Sequence, residues 1–215
     1  MGLAPITDPV AGFGHPFMLR PKETSAETEY YAAFGRFIAT YARAEAAVNM
    51  AARHFSTLDD DLARVIFGGM RLTDLAEKIR KMMPANQTVS KDIDACLTQL
   101  DLISKERDKL VHRRVKYEPT KGLTVTNILT AKIVINYEEV SFTRDMLEDL
   151  EGDCRSIYLR LFLKMEFPSD LELRDPTLLS LYDAWRYKPL PPKRKKKPHR
   201  ATARSRRHQR RASRE

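Results

Sequence analysis

The chain has 215 residues, with 38 Lys+Arg against 29 Asp+Glu and a formal net charge of +9. Residues 188–215 hold 13 of those basic residues and one acidic residue, a local +12 that leaves −3 on residues 1–187. The body is thus a slightly acidic globule long enough for one sizeable core. A basic folded surface is excluded as the source of the positive charge. The apolar runs are too short to span a bilayer, and no basic stretch followed by an apolar run opens the chain, so no signal peptide is expected. Only Cys96 and Cys154 occur, each inside an apolar helical pattern, which excludes a disulfide scaffold and fits core packing in a reducing, cytoplasmic setting.

In chain order, residues 1–24 are rich in Pro and Gly without a period and form an irregular lead-in. From Ser25 to Phe55 the residues Tyr30, Phe34, Phe37, Tyr41, Val48 and Phe55 recur at helical steps. Thr57 followed by Asp59, Asp60 and Asp61 predicts a cap and acidic first turn for a shorter helix ending at Gly68-Gly69. Another runs from about Leu72 to Met83 and stops at Pro84. Ser90 opens a helix of more than twenty residues that ends near Arg114. Residues 116–137 change character: Val125, Ile133, Ile135 and Tyr137 alternate around a Lys121-Gly122 turn, which predicts a small β-hairpin or irregular flap. Thr143 begins the last long helix, with Met146, Leu150, Cys154, Ile157, Leu161 and Met165 on one face. Asp175-Pro176 predicts a terminal helix through about Trp185. Residues 25–187 should therefore form one all-α, antiparallel helical bundle, followed over 188–215 by a disordered polybasic tail.

Two charges break the amphipathic pattern. On the wheel of the helix opened by Ser90, Arg107 falls in the middle of the stripe formed by Ile93, Cys96, Leu100, Ile103, Leu110 and Val111. On the first long helix, Glu45 lies among Phe34, Ile38 and Ala52. Unpaired burial of either would be costly, so a Glu45–Arg107 ion pair is expected. Asp108 precedes His112 by four residues, which makes them neighbours on one flank, where a carboxylate can fix the imidazole tautomer. Arg113 and Arg114 follow and add positive charge beside the histidine.

The run Arg107-Asp108-Lys109-Leu110-Val111-His112 resembles the Arg-x4–6-His motif of the HEPN superfamily, all-helical domains found in toxins, abortive-infection (phage-defence) proteins and RNA-processing nucleases. Lys109-Leu110-Val111-His112 is similar to the motif's usual ending, Asp108 stands where Asn is common, and Glu45 matches an acidic residue that many members carry on the first helix. The resemblance covers roughly residues 28–166. It implies a homodimer and metal-independent RNA cleavage to 2′,3′-cyclic phosphate and 5′-OH ends. His112 would act as general acid or base, Arg107 would face the phosphoryl oxygens and Glu45 would face Arg107; Asp108, a departure from the family pattern, would by its spacing poise His112. No cofactor is implied; an antitoxin-like partner is a further expectation.

No metal-ligand spacing, Gly-rich phosphate loop or nucleophile elbow is visible. The same residues also fit a non-enzymatic dimer in which Glu45–Arg107 is structural and the tail does the binding. In either case Lys193, Arg194, Lys195, Lys196 and Lys197, with Arg113 and Arg114, are the expected nucleic-acid contacts, salt-dependent and largely blind to base sequence.

Overall fold

The structure is a computed structural model that describes residues 24–83, 88–127, 138–166, 180 and 183–189. The lead-in up to residue 23, Ile133, Ile135 and Tyr137, most of the expected terminal helix, and the tail lysines and arginine at 193–197 lie outside the described residues.

The described residues form five helices and one small sheet. They are α1 (Ser25–Ser56), α2 (Asp60–Phe67), α3 (Leu72–Met82), α4 (Thr88–His112), β1 (Arg114–Glu118), β2 (Gly122–Thr126), β3 (Glu139–Phe142) and α5 (Arg144–Glu166). The start of α1 is fixed by Thr24, whose hydroxyl accepts the Glu27 amide at 3.2 Å. Thr57 does not cap α2 as the sequence predicts. It closes α1 in the left-handed region (φ 55°), and Asp59 caps α2 by accepting the Asp61 amide at 3.0 Å. Thr143 does open α5, its hydroxyl accepting from the Met146 amide. The helix expected from Ser90 to Arg114 spans Thr88–His112, and Arg114 already belongs to β1.

Long α1 packs most extensively against α5 and then α3, while α4 packs on α5. The helical stripes seen in the sequence line one continuous core: Phe37, Tyr41 and Val48 from α1, Ile93, Cys96, Leu100, Ile103 and Leu110 from α4, and Leu150, Cys154, Ile157 and Leu161 from α5. Val111, expected on the α4 stripe, is instead exposed. Both cysteines are buried and free, and burial pushes the Cys96 thiol up to about 12.

The expectation of antiparallel helices is half right. Asp92 meets Arg160 and Gln99 meets Asp153, so α4 and α5 run in opposite directions. By contrast Glu29 pairs with Arg144 and Arg36 with Glu151, both at an offset of 115 residues, so α1 and α5 run side by side in the same direction.

The hairpin expected about Lys121-Gly122 is formed by β1 and β2, and β3 extends it, which the sequence did not predict, to a three-stranded antiparallel sheet in the order β1-β2-β3. β1 and β2 make the hairpin, with Val115 opposite Val125, and β3 adds to the far edge with Phe142 opposite Leu123. The central strand buries Leu123 and Val125 completely. Gly122 opens β2 at φ +81°, and a Cβ there would lie 2.5 Å from the Phe142 carbonyl oxygen and 2.8 Å from the Tyr30 ring. Tyr30 also packs on Tyr117 at 5.4 Å between centroids, which seats the sheet on the N-terminal end of α1.

Residues 183–185 are not helical, so the terminal helix does not reach Trp185. This stretch lies as an irregular strap across α4 and α5.

Candidate functional site

The α1–α4 contact holds the residues that broke the amphipathic pattern. Arg107 projects from α4 toward α1, its guanidinium carbon 5.5 Å from the Tyr41 ring centroid. Its side chain is 30% exposed, so this position is the margin of the core rather than its centre. Nη1 donates to Asp108 Oδ1 at 3.1 Å, whereas Nε is buried without a hydrogen-bond partner among the described residues. Burial drives the Tyr41 phenol up to about 12; a hydrogen bond with Ser104 opposes that rise, Glu45 and Asp108 add to it and Arg107 offsets it. Tyr41, Glu45, Arg107 and Asp108 thus share one electrostatic neighbourhood.

Two expected pairings are not formed. Glu45 is only partly buried and makes no ion pair with Arg107. Asp108 turns to Arg107 and not to His112, which is exposed at the last position of α4 and has no ion pair or hydrogen bond among the described residues. Both errors have one cause. A helical wheel gives the direction of a side chain but not its height along the axis or which neighbour it meets. Arg107 satisfied its charge with the adjacent residue and its stem with an aromatic face.

Arg113 donates to Glu138 at 2.7 Å across the base of the sheet, which removes it from the set of open cations. Arg114 is exposed at the start of β1. Arg107, His112 and Arg114 therefore lie within the last turns of α4 and the first residue of the sheet.

A second polar cluster was missed by the sequence argument. Asp153, Gln99 and Arg160 are all buried. Asp153 accepts the amides of Arg186 (2.9 Å) and Tyr187 (3.0 Å) and the Gln99 amide group (2.8 Å), while Gln99 also donates to the Tyr187 carbonyl (3.0 Å). Arg160 stacks on Trp185 at 4.3 Å, pairs with Asp92 and donates to the Asp183 carbonyl. The Tyr187 phenol, raised chiefly by burial, hydrogen-bonds Glu106. These groups fasten residues 183–187 to the bundle. The signal was present: Asp153 falls between Leu150 and Ile157, and Arg160 between Ile157 and Leu161, on the apolar stripe of α5. That is the same kind of violation that singled out Arg107.

Among the described residues no group of three or more His, Cys, Asp or Glu is arranged to hold a metal ion, and no helix is long and apolar enough to cross a membrane. Compared with known proteins, the chain matches no family model, no curated protein and no solved structure.

Proposed function

We propose that the protein binds RNA and cleaves it without a metal, in the manner of HEPN-type endoribonucleases. The observation that carries this is the placement of Arg107 and His112 on the last turns of one helix, both retaining access to solvent. Five residues of helix separate them by about 7.5 Å along the axis and about 140° around it, so the long Arg107 side chain has to reach round the end of α4 for the two groups to share one phosphodiester. His112 takes the proton from a ribose 2′-OH, the 2′ oxygen attacks the adjacent phosphorus, and the bond to the 5′ oxygen breaks. The products are a 2′,3′-cyclic phosphate and, once that oxygen is protonated, a 5′-OH. Arg107 stabilises the charge growing on the phosphoryl oxygens, exchanging its Asp108 contact for the phosphate as substrate enters. The requirement for a 2′-OH restricts the reaction to RNA.

A homodimer, bringing two copies of the Arg107–His112 pair together, belongs to the same proposal, as do a cytoplasmic setting and a neutralising partner. The polybasic segment with Lys193, Arg194, Lys195, Lys196 and Lys197 holds the polyanion near the body.

Binding without cleavage is the second function to weigh. It is favoured by the Arg107–Asp108 contact, which neutralises the guanidinium in the resting chain, and by the lack of an orienting partner on His112 among the described residues. Incubation of the purified chain with a panel of structured and single-stranded RNAs in EDTA separates the two. Cleavage that is lost in His112→Ala while binding persists supports the ribonuclease. Binding with no cut on any RNA leaves the binder.

A further inference from the structure

The parallel packing of α1 on α5 repeats at heptad steps. Glu29 on α1 meets Arg144 on α5 at 2.7 Å, and one heptad on, Arg36 meets Glu151 at 3.5 Å. The next step brings Arg43 to the level of Tyr158, and the ladder of ion pairs ends. At that level a surface cleft of about 380 Å³ is lined by Thr40, Arg43, Glu151, Arg155, Tyr158 and Leu159. Arg43 and Arg155 are both exposed, and neither makes an ion pair or hydrogen bond among the described residues. The cleft's one carboxylate, Glu151, is already engaged by Arg36. Tyr158 is stacked on Phe162 with 6.3 Å between centroids and 27° between planes, and Phe162 is 36% exposed.

Two exposed guanidiniums beside a half-buried tyrosine that leans on an exposed Phe162 are chemistry that single-stranded nucleic acid selects. The arginines meet backbone phosphates and the rings carry a base, which a duplex would keep inside its own stack. The position is also separate from Arg107. Around α1, Arg43 and Glu45 lie about 200° apart at 100° per residue, so the cleft opens on the flank of α1 opposite the one that meets α4.

We propose that the α1–α5 cleft is a binding site for single-stranded RNA, with Arg43 and Arg155 on consecutive phosphates and Tyr158 stacking a base. It shares only its class of ligand with the proposed ribonuclease and does not depend on cleavage.

The full chain is titrated against a fluorescein-labelled oligouridylate by anisotropy over a series of KCl concentrations. Because each single-strand phosphate contact contributes about 0.7 to the slope of log K against log salt, Arg43→Gln/Arg155→Gln is expected to flatten it by about 1.4. Arg43→Lys/Arg155→Lys should restore the slope. Tyr158→Ala should weaken binding about fivefold or more with the slope intact. Both positions are exposed on helices, so the glutamine variants keep the fold, checked by circular dichroism. In parallel, oligouridylate containing 4-thiouridine is photocrosslinked to the full chain, and adducts are expected on the tryptic peptides 156–160 and 161–164. Unchanged slopes with adducts confined to 188–215 overturn the proposal. A chain that crosslinks at Tyr158 yet leaves every RNA intact defeats the ribonuclease alone. One that cuts RNA while slope and adducts ignore the cleft defeats the cleft alone.

Discussion

Arg107 lies against the face of Tyr41, guanidinium to ring centroid at 5.5 Å, while its outer nitrogen is held by the neighbouring Asp108. The arginine therefore enters the core margin by its stem and aromatic contact, and its buried Nε has no acceptor among the described residues. Such a group contributes little to stability, because desolvation offsets the gain from its contacts. Arg107→Met, which keeps the stem and removes the charge, is expected to change the unfolding free energy by less than about 1 kcal/mol in urea titrations. The same variant should lose RNA cleavage. Cleavage that survives it removes Arg107 from the chemistry.

Asp108 sets the resting charge of that arginine. Asp108→Asn leaves the geometry and removes the counter-charge, so a phosphate no longer has to displace a carboxylate. The expected result is faster single-turnover cleavage in EDTA, by about tenfold, the equivalent of about 1.4 kcal/mol. A slower rate would mean that Asp108 assists the reaction.

Asp153 is the centre of the strap that holds residues 183–187. Asp153→Ala strips acceptors from the Arg186 and Tyr187 amides and from Gln99 in a buried setting, at an expected cost of about 3 kcal/mol. Hydrogen exchange should show the loss locally, as fast exchange of the Arg186 and Tyr187 amides in native conditions. Equal protection in variant and wild type would show that the strap is held by Trp185 and Arg160 instead.

Gly122 combines a positive φ with a Cβ position that would collide with both the Phe142 backbone and the Tyr30 ring. Gly122→Ala is therefore expected to destabilise the chain by about 2 kcal/mol or more, as read from thermal melts, and to loosen β2 from β3 first.

Alkaline pH should unfold the protein more readily than its acidic residues would imply. Tyr41 and Cys96 ordinarily lose their protons near 10.0 and 9.0, and burial raises both to about 12. Between those limits the unfolded chain has released protons that the folded chain keeps, so stability falls as pH rises from about 9 to about 12. Melting temperatures followed across that range should decline, with a shallower decline in Tyr41→Phe.

Much of this was legible from local pattern. The stripe Ile93, Cys96, Leu100, Ile103 and Leu110 became core because a 3.6-residue period is a local property, and Thr143 and the Lys121-Gly122 turn act through their nearest neighbours. What escaped was non-local. β3 is four residues long and exists only because Leu123 and Phe142 pair across a long connection. The partners of Asp153 and Gln99 are backbone groups more than thirty residues away, which no spacing encodes. At the candidate site, Arg107, Asp108 and His112 could be singled out from their positions on one helix. The absence of a Glu45–Arg107 bond could not, because it depends on how α1 and α4 are offset along their axes.

The 115-residue offset between Glu29 and Arg144 carries a consequence for synthesis. Among the described helices α1 is made first and its principal mate α5 last, so α2 and α3 can cover α1 early while the part of its apolar face that meets α5 stays uncovered until α5 emerges. Separations of that length slow folding and leave the nascent chain open to self-association. Newly made chains should therefore rely on chaperones until α5 emerges, and a message truncated before Arg144 should yield an aggregated product rather than a smaller folded one.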